Sequence, residues 1–94
     1  MQTIYKYKLT DTSCIVNVPG GILLDVQIQH NEPVAWFLVN SDWKEEQHEF
    51  KMLFTGHEID IDLQNYTHYS TLQYHNGDLV VHVFYKNPFD TVDF

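Results

Sequence analysis

The sequence predicts a single small all-β domain, mainly antiparallel, folded as a β-sandwich or half-open barrel of about six or seven strands. At most one short helical turn is expected. Three observations carry this reading. Apolar and polar residues alternate with a period of two along most of the chain. Asn76-Gly77 stands between two β-rich runs, Ser70–Tyr74 and Leu79–Phe84, which is the strongest local signal for a tight hairpin. Finally, the chain has only 94 residues, 15% of them aromatic, and leaves little room for a βαβ crossover.

The elements follow in order. Thr3 to Leu9 alternates Tyr5, Tyr7 and Leu9 against Lys6 and Lys8, a strand with one wet face. Asp11-Thr12-Ser13 is a turn, Cys14 to Val18 a short β-branched run, and Pro19-Gly20-Gly21 closes it. From Ile22 to His30, the alternation sets Ile22, Leu24, Val26 and Ile28 inward, with Leu23 breaking the polar side. Asn31-Glu32-Pro33 is the next expected turn. Val34 to Val39 is apolar on both faces and reads as a central, doubly covered strand. Asn40 to Gln47 reads as a polar loop, and His48 to Phe54 as a strand with Phe50, Met52 and Phe54 inward. Residues 58–69 fit either a strand or a loop holding one helical turn capped by Asp62, and the loop is preferred. In the terminal hairpin, a type I′ turn at Asn76-Gly77 sets Tyr74 against Leu79, Leu72 against Val81 and Ser70 against Val83, with Tyr69 against Phe84. Pro88 ends the last strand. The β domain therefore spans 1–86 and a tail spans 87–94, whose Phe89, Val92 and Phe94 are expected to dock on the domain or on another subunit.

Composition narrows the function. Thirteen carboxylates face five lysines with no arginine, a formal net charge of -8. Arginine is the usual bidentate reader of phosphate and guanine, so direct nucleic-acid binding is not expected. No apolar run reaches a membrane span, and the opening Met1–Lys8 lacks a signal peptide's apolar core. Cys14 is the sole cysteine, which suits a reducing compartment. A cytoplasmic location follows as the expectation.

Four constellations bear on chemistry. Six histidines, His30, His48, His57, His68, His75 and His82, show no metal-ligand spacing, so no metal or other cofactor is expected. Cys14 lies in an apolar run and reads as an inert thiol. An acidic stretch holds Asp42, Glu45, Glu46, Glu49, Glu58, Asp60 and Asp62, with Trp43 as an aromatic anchor. This pattern points to a patch that binds a basic protein. The turn Thr55-Gly56-His57 is the alternative ligand site, where glycine admits close approach and His57 can exchange a proton. Neither a phosphate loop nor a nucleophile elbow is present, and an enzyme is not expected.

Several segments together carry a family resemblance. They are Thr3-Ile4-Tyr5-Lys6-Tyr7, Val18-Pro19-Gly20 with Ile22-Leu23-Leu24-Asp25-Val26-Gln27, Pro33 to Val39, Thr55-Gly56-His57-Glu58-Ile59, and Leu79 to Phe84. In their order and spacing the chain resembles a family of short proteins encoded by tailed bacteriophages and prophages. The resemblance transfers no catalytic residue. It implies an accessory protein that binds something of the host. Together with the charge of -8, the missing arginine and the acidic stretch around Trp43, it leads to the expectation of an inhibitor of a host or anti-phage defence protein in the host cytoplasm, with nucleic-acid mimicry as one means. An oligomeric sponge for a nucleotide immune signal and a structural or morphogenetic phage part are the alternatives. A homo-oligomer is compatible with the first two.

Overall fold

A computed structural model describes residues 1–88 of the chain. It is all-β, with seven antiparallel strands in two sheets. The strands are β1 Gln2–Lys8, β2 Ser13–Pro19, β3 Ile22–Gln29, β4 Glu32–Asn40, β5 Glu45–Phe54, β6 Thr67–Tyr74 and β7 Leu79–Lys86. One sheet has the order β1-β4-β3, the other β2-β5-β7-β6. The architecture is the sandwich, not the half-open barrel. Among the described residues the one helical element is a short 3-10-like turn at His75–Gly77. The strand part ends at Lys86, as expected, and the expected docking of Phe89, Val92 and Phe94 lies outside the described residues.

The core forms where the inward sides of the two sheets meet. Ala35, Phe37 and Val39 of β4 and Val26 of β3 pack against Val16, Val18, Phe50, Met52, Leu72, Val81 and Val83 of the other sheet. Phe37 meets Tyr7 and Phe50 edge-on, at centroid distances of 5.7 and 6.2 Å. Such aromatic pairs add to the burial energy through their quadrupoles. β4 is central in its sheet, as its two-sided apolar pattern predicts. Its outward side is only partly covered. Val34 is buried there, and Lys6 reaches across β4 to Gln29, with Nζ donating to Oε1 at 2.9 Å, while Trp36 and Leu38 stay half-buried.

The hairpin register is the expected one near its turn: Tyr74 pairs with Leu79, Leu72 with Val81 and Ser70 with Val83. Asn76 (φ 58) and Gly77 (φ 95) take the left-handed values a type I′ turn needs, and Asp78 N–H donates to the His75 carbonyl at 3.2 Å. Farther down, a bulge intervenes between His68 and Ser70, so His68, not Tyr69, opposes Phe84.

Other expectations change in detail. A bulge between Leu23 and Asp25 reverses the phase of β3. Leu23 therefore packs on the core, while Ile22 and Leu24 are exposed at 54% and 45%. The β3–β4 turn is His30-Asn31, both with positive φ, and Pro33 lies within β4, paired with Ile28. Residues 58–66 form no strand. Their one turn has Tyr66 N–H donating to the Leu63 carbonyl, and Asp62 Oδ1 accepts from Gln64 N–H at 2.8 Å. Asp62 thus caps a turn without a helix following it. Lastly, β5 begins at Glu45, not His48, because Glu45, Glu46 and Gln47 pair with Pro19, Val18 and Asn17 of β2.

Candidate functional site

The early start of β5 decides where the acidic residues go. In a strand successive side chains point to opposite faces. Glu45 and Glu49 therefore share the outward face of β5, while Glu46 shares the inward side with His48 and Phe50 and is half-buried at the sheet's end. Glu49 lies opposite Lys86 of β7 and accepts a hydrogen bond from the Tyr66 hydroxyl at 2.7 Å. Burial first, and then this hydrogen bond and the Glu49 charge, push the Tyr66 hydroxyl up to about 12. Among the described residues, neither Glu45 nor Glu46 takes part in an ion pair.

Two hollows meet at this end of the molecule. One, of about 430 Å3, is lined by Glu45, Glu46, Gln47, Glu49, Lys86 and Pro88. Three carboxylates against one ammonium give it a negative potential. The other, of about 460 Å3, is lined by Gly20, Gly21, Ile22, Trp43, Lys44 and Glu46. Its wall is mainly apolar, supplied by Ile22 and the Trp43 ring. Glu46 borders both.

The second hollow depends on the turn after β2. Gly20 has φ 67, a backbone conformation that side chains disfavour. A Cβ at Gly20 would also collide with the Trp43 ring, so the indole lies directly on the glycine backbone. Gly20 N–H donates to the Lys44 carbonyl at 2.8 Å, which fixes the Trp43-Lys44 segment beside the turn. The same glycine is held from beneath. Its carbonyl accepts from His48 Nε2–H at 2.9 Å, and Tyr85 O–H donates to His48 Nδ1 at 2.6 Å. This is the neutral imidazole with its proton on Nε2. Burial pushes the His48 pKa below its ordinary value. His48 is fully buried. Strand parity was the signal: His48 shares its side of β5 with Phe50, Met52 and Phe54.

The acidic stretch does not form one continuous patch. Asp42 sits at the start of the β4–β5 loop, 3.3 Å from the Met1 ammonium. Glu58 lines a separate small hollow with Thr12, Phe54 and His57, at the far end of β5 from Glu45. β5 and β6 run parallel because each is antiparallel to β7, so residues 55–66 must travel the length of the sheet. Glu58, Asp60 and Asp62 are exposed along that crossover, which returns to Glu49 at Tyr66. The structure thus groups Trp43, Glu45, Glu46 and Glu49 and sets Glu58 apart from them. Sequence reasoning missed Lys86, Gly20 and Ile22 as parts of the site, since their nearness follows only from the strand pairing.

The Thr55-Gly56-His57 turn is otherwise occupied. Thr55 N–H donates to the Val80 carbonyl and His57 N–H to the Phe54 carbonyl, so two of its amides are used within the fold. Thr55 Oγ1 bonds His82 Nε2 at 2.7 Å, and the His57 ring lies against Phe54. The hollow beside His57 is about 180 Å3. Small-ligand sites usually have roughly 300–1,000 Å3. Among the described residues, no group of three His, Cys, Asp or Glu side chains could hold a metal ion, and no helix is long and apolar enough to cross a membrane.

No curated protein and no solved structure matches the chain. A family model described as a domain of unknown function, DUF7352, matches residues 1–92, and the chain belongs to that family.

Proposed function

We propose that this protein is a stoichiometric binding module that takes up a basic, partly apolar segment of another protein on the face formed by Trp43, Glu45, Glu46 and Glu49. It acts without catalysis. The observation that carries this reading is that Glu46 borders both an acidic hollow and an apolar one. An apolar side chain entering beside Trp43 would thereby bring a neighbouring lysine or arginine against Glu45, Glu46 and Glu49. Burial of an aromatic-lined anchor supplies affinity, and the adjoining charges supply register and a faster encounter. The net charge of -8 favours a basic partner from a distance. The resemblance to phage-encoded accessory proteins supports a host or defence protein as that partner, inhibited in the host cytoplasm, with nucleic-acid mimicry as the means.

The test is capture from a bacterial lysate on the immobilised protein, compared with its Trp43→Ala and Glu46→Lys variants. The expected result is one basic protein retained by the wild type and depleted at least about tenfold on either variant. Equal retention by all three would overturn the assignment of the face.

A further inference from the structure

The outward face of the β1-β4-β3 sheet carries a second surface. Ile4 of β1 pairs with Leu38 of β4, and Leu38 with Ile22 of β3. In antiparallel sheets neighbouring strands lie about 4.8 Å apart, so these three side chains form one continuous row. Ile4 is 57% and Ile22 54% exposed, and Leu38 is half-buried between them. The β3 bulge adds Leu24, 45% exposed, and the next row on the same face is centred on half-buried Trp36. An apolar row across a whole sheet is more than the scattered exposed residues of an ordinary surface.

The charges of this face differ from those of the rest of the molecule. It carries Lys6 and Lys8 on β1 against Asp25 on β3 and Glu32 on β4, which sum to zero. The chain as a whole is at -8. Two copies can therefore meet here without the repulsion that two acidic faces would impose. The charges are also arranged self-complementarily. Lys6 and Asp25 both pair with Trp36, one from each side of β4.

We infer that this face binds the same face of a second copy of the chain, about a two-fold axis running along β4. That axis exchanges the β1 and β3 sides. Lys6 of each copy then lies over Asp25 of the other, Ile4 over Ile22, and Leu38 over Leu38. The Lys6–Asp25 ion pair occurs twice by symmetry, as an isologous interface requires. Lys6, which bonds Gln29 in the single chain, changes partner on docking. Ile22 is shared with the wall of the Trp43 hollow, so this contact and that hollow adjoin.

Sedimentation equilibrium at about 100 µM protein tests this, in a range where even a weak dimer is populated. The wild type is expected at twice the chain mass. Ile4→Glu is expected at the monomer mass. Lys6→Asp sets like charges against each other twice and is expected to weaken the dimer at least about tenfold. Adding Asp25→Lys to Lys6→Asp restores opposite charges and the dimer. All of these positions are exposed, and a circular dichroism melt checks that each variant is folded. If Ile4→Glu fails to fold, the charge-swapped pair alone decides. A monomeric wild type, an Ile4→Glu variant that keeps its dimer mass, or a double swap no stronger than Lys6→Asp overturns the inference.

Discussion

His48 joins core, site and pH dependence in one side chain. It is fully buried, meets Phe37 edge-on at 4.7 Å, and spans from Tyr85 to the Gly20 carbonyl beneath Trp43. A buried polar group is tolerated because its hydrogen bonds are made inside the protein. Its pKa is lowered from 6.5 in the fold, chiefly by desolvation. Below pH 6.5 the unfolded chain takes up a proton that the folded chain refuses. The His48 contribution is therefore fully present above 6.5 and is lost as pH falls towards the lowered folded value. Urea unfolding from pH 7.5 to 5 should show stability declining on the acid side, with a flatter profile for His48→Gln. Equal slopes for the two proteins would remove His48 as the cause. The residue was legible in part. Its parity with Phe50 and Met52 placed it inward, but a histidine on a strand gives no sign of which carbonyl it will meet. Gly20 is 28 residues away in sequence.

At the level of elements, alternation and turn chemistry located most strands, and bulges account for much of what they misplaced. Asn76-Gly77 fixed three hairpin pairs, because only residues that tolerate positive φ suit a type I′ turn. The extra residue in β3 shows in the sequence only as Leu23 breaking the polar side, and an inserted residue there or in β6 looks like any imperfect alternation. In β3 the two readings differ sharply. Simple alternation buries Leu24, whereas the bulge buries Leu23. Leu23→Ala should destabilise the fold by roughly 2 kcal/mol, and Leu24→Ala by no more than about 0.5 kcal/mol. Chemical denaturation of both variants checks this, and the reverse order would refute the bulge. The start of β5 was missed for a different reason. Glu45, Glu46 and Gln47 have weak strand preference and became strand through pairing with β2. That pairing turned an apparent acidic loop into three ordered side chains.

For the molecule as a whole, net charge and apolar surface are segregated. The outward face of the β1-β4-β3 sheet is neutral and apolar, while carboxylates line the Trp43 end and the 55–66 crossover. The acidic character was plain from composition, and the nearness of Trp43, Glu45, Glu46 and Glu49 to one another follows from their nearness in sequence. The division between Glu46 and Glu58 was not plain, because sequence proximity hides that they lie at opposite ends of β5. The Trp43 and Glu46 face is proposed to bind a basic protein partner. Native mass spectrometry of the protein recovered gently from a bacterial lysate tests it most directly. The expected result is a complex with a basic protein in fixed stoichiometry, dissociating as salt is raised past the range where surface charges are screened. A chain carrying only a small-molecule adduct, or one recovered with no partner, would contradict it.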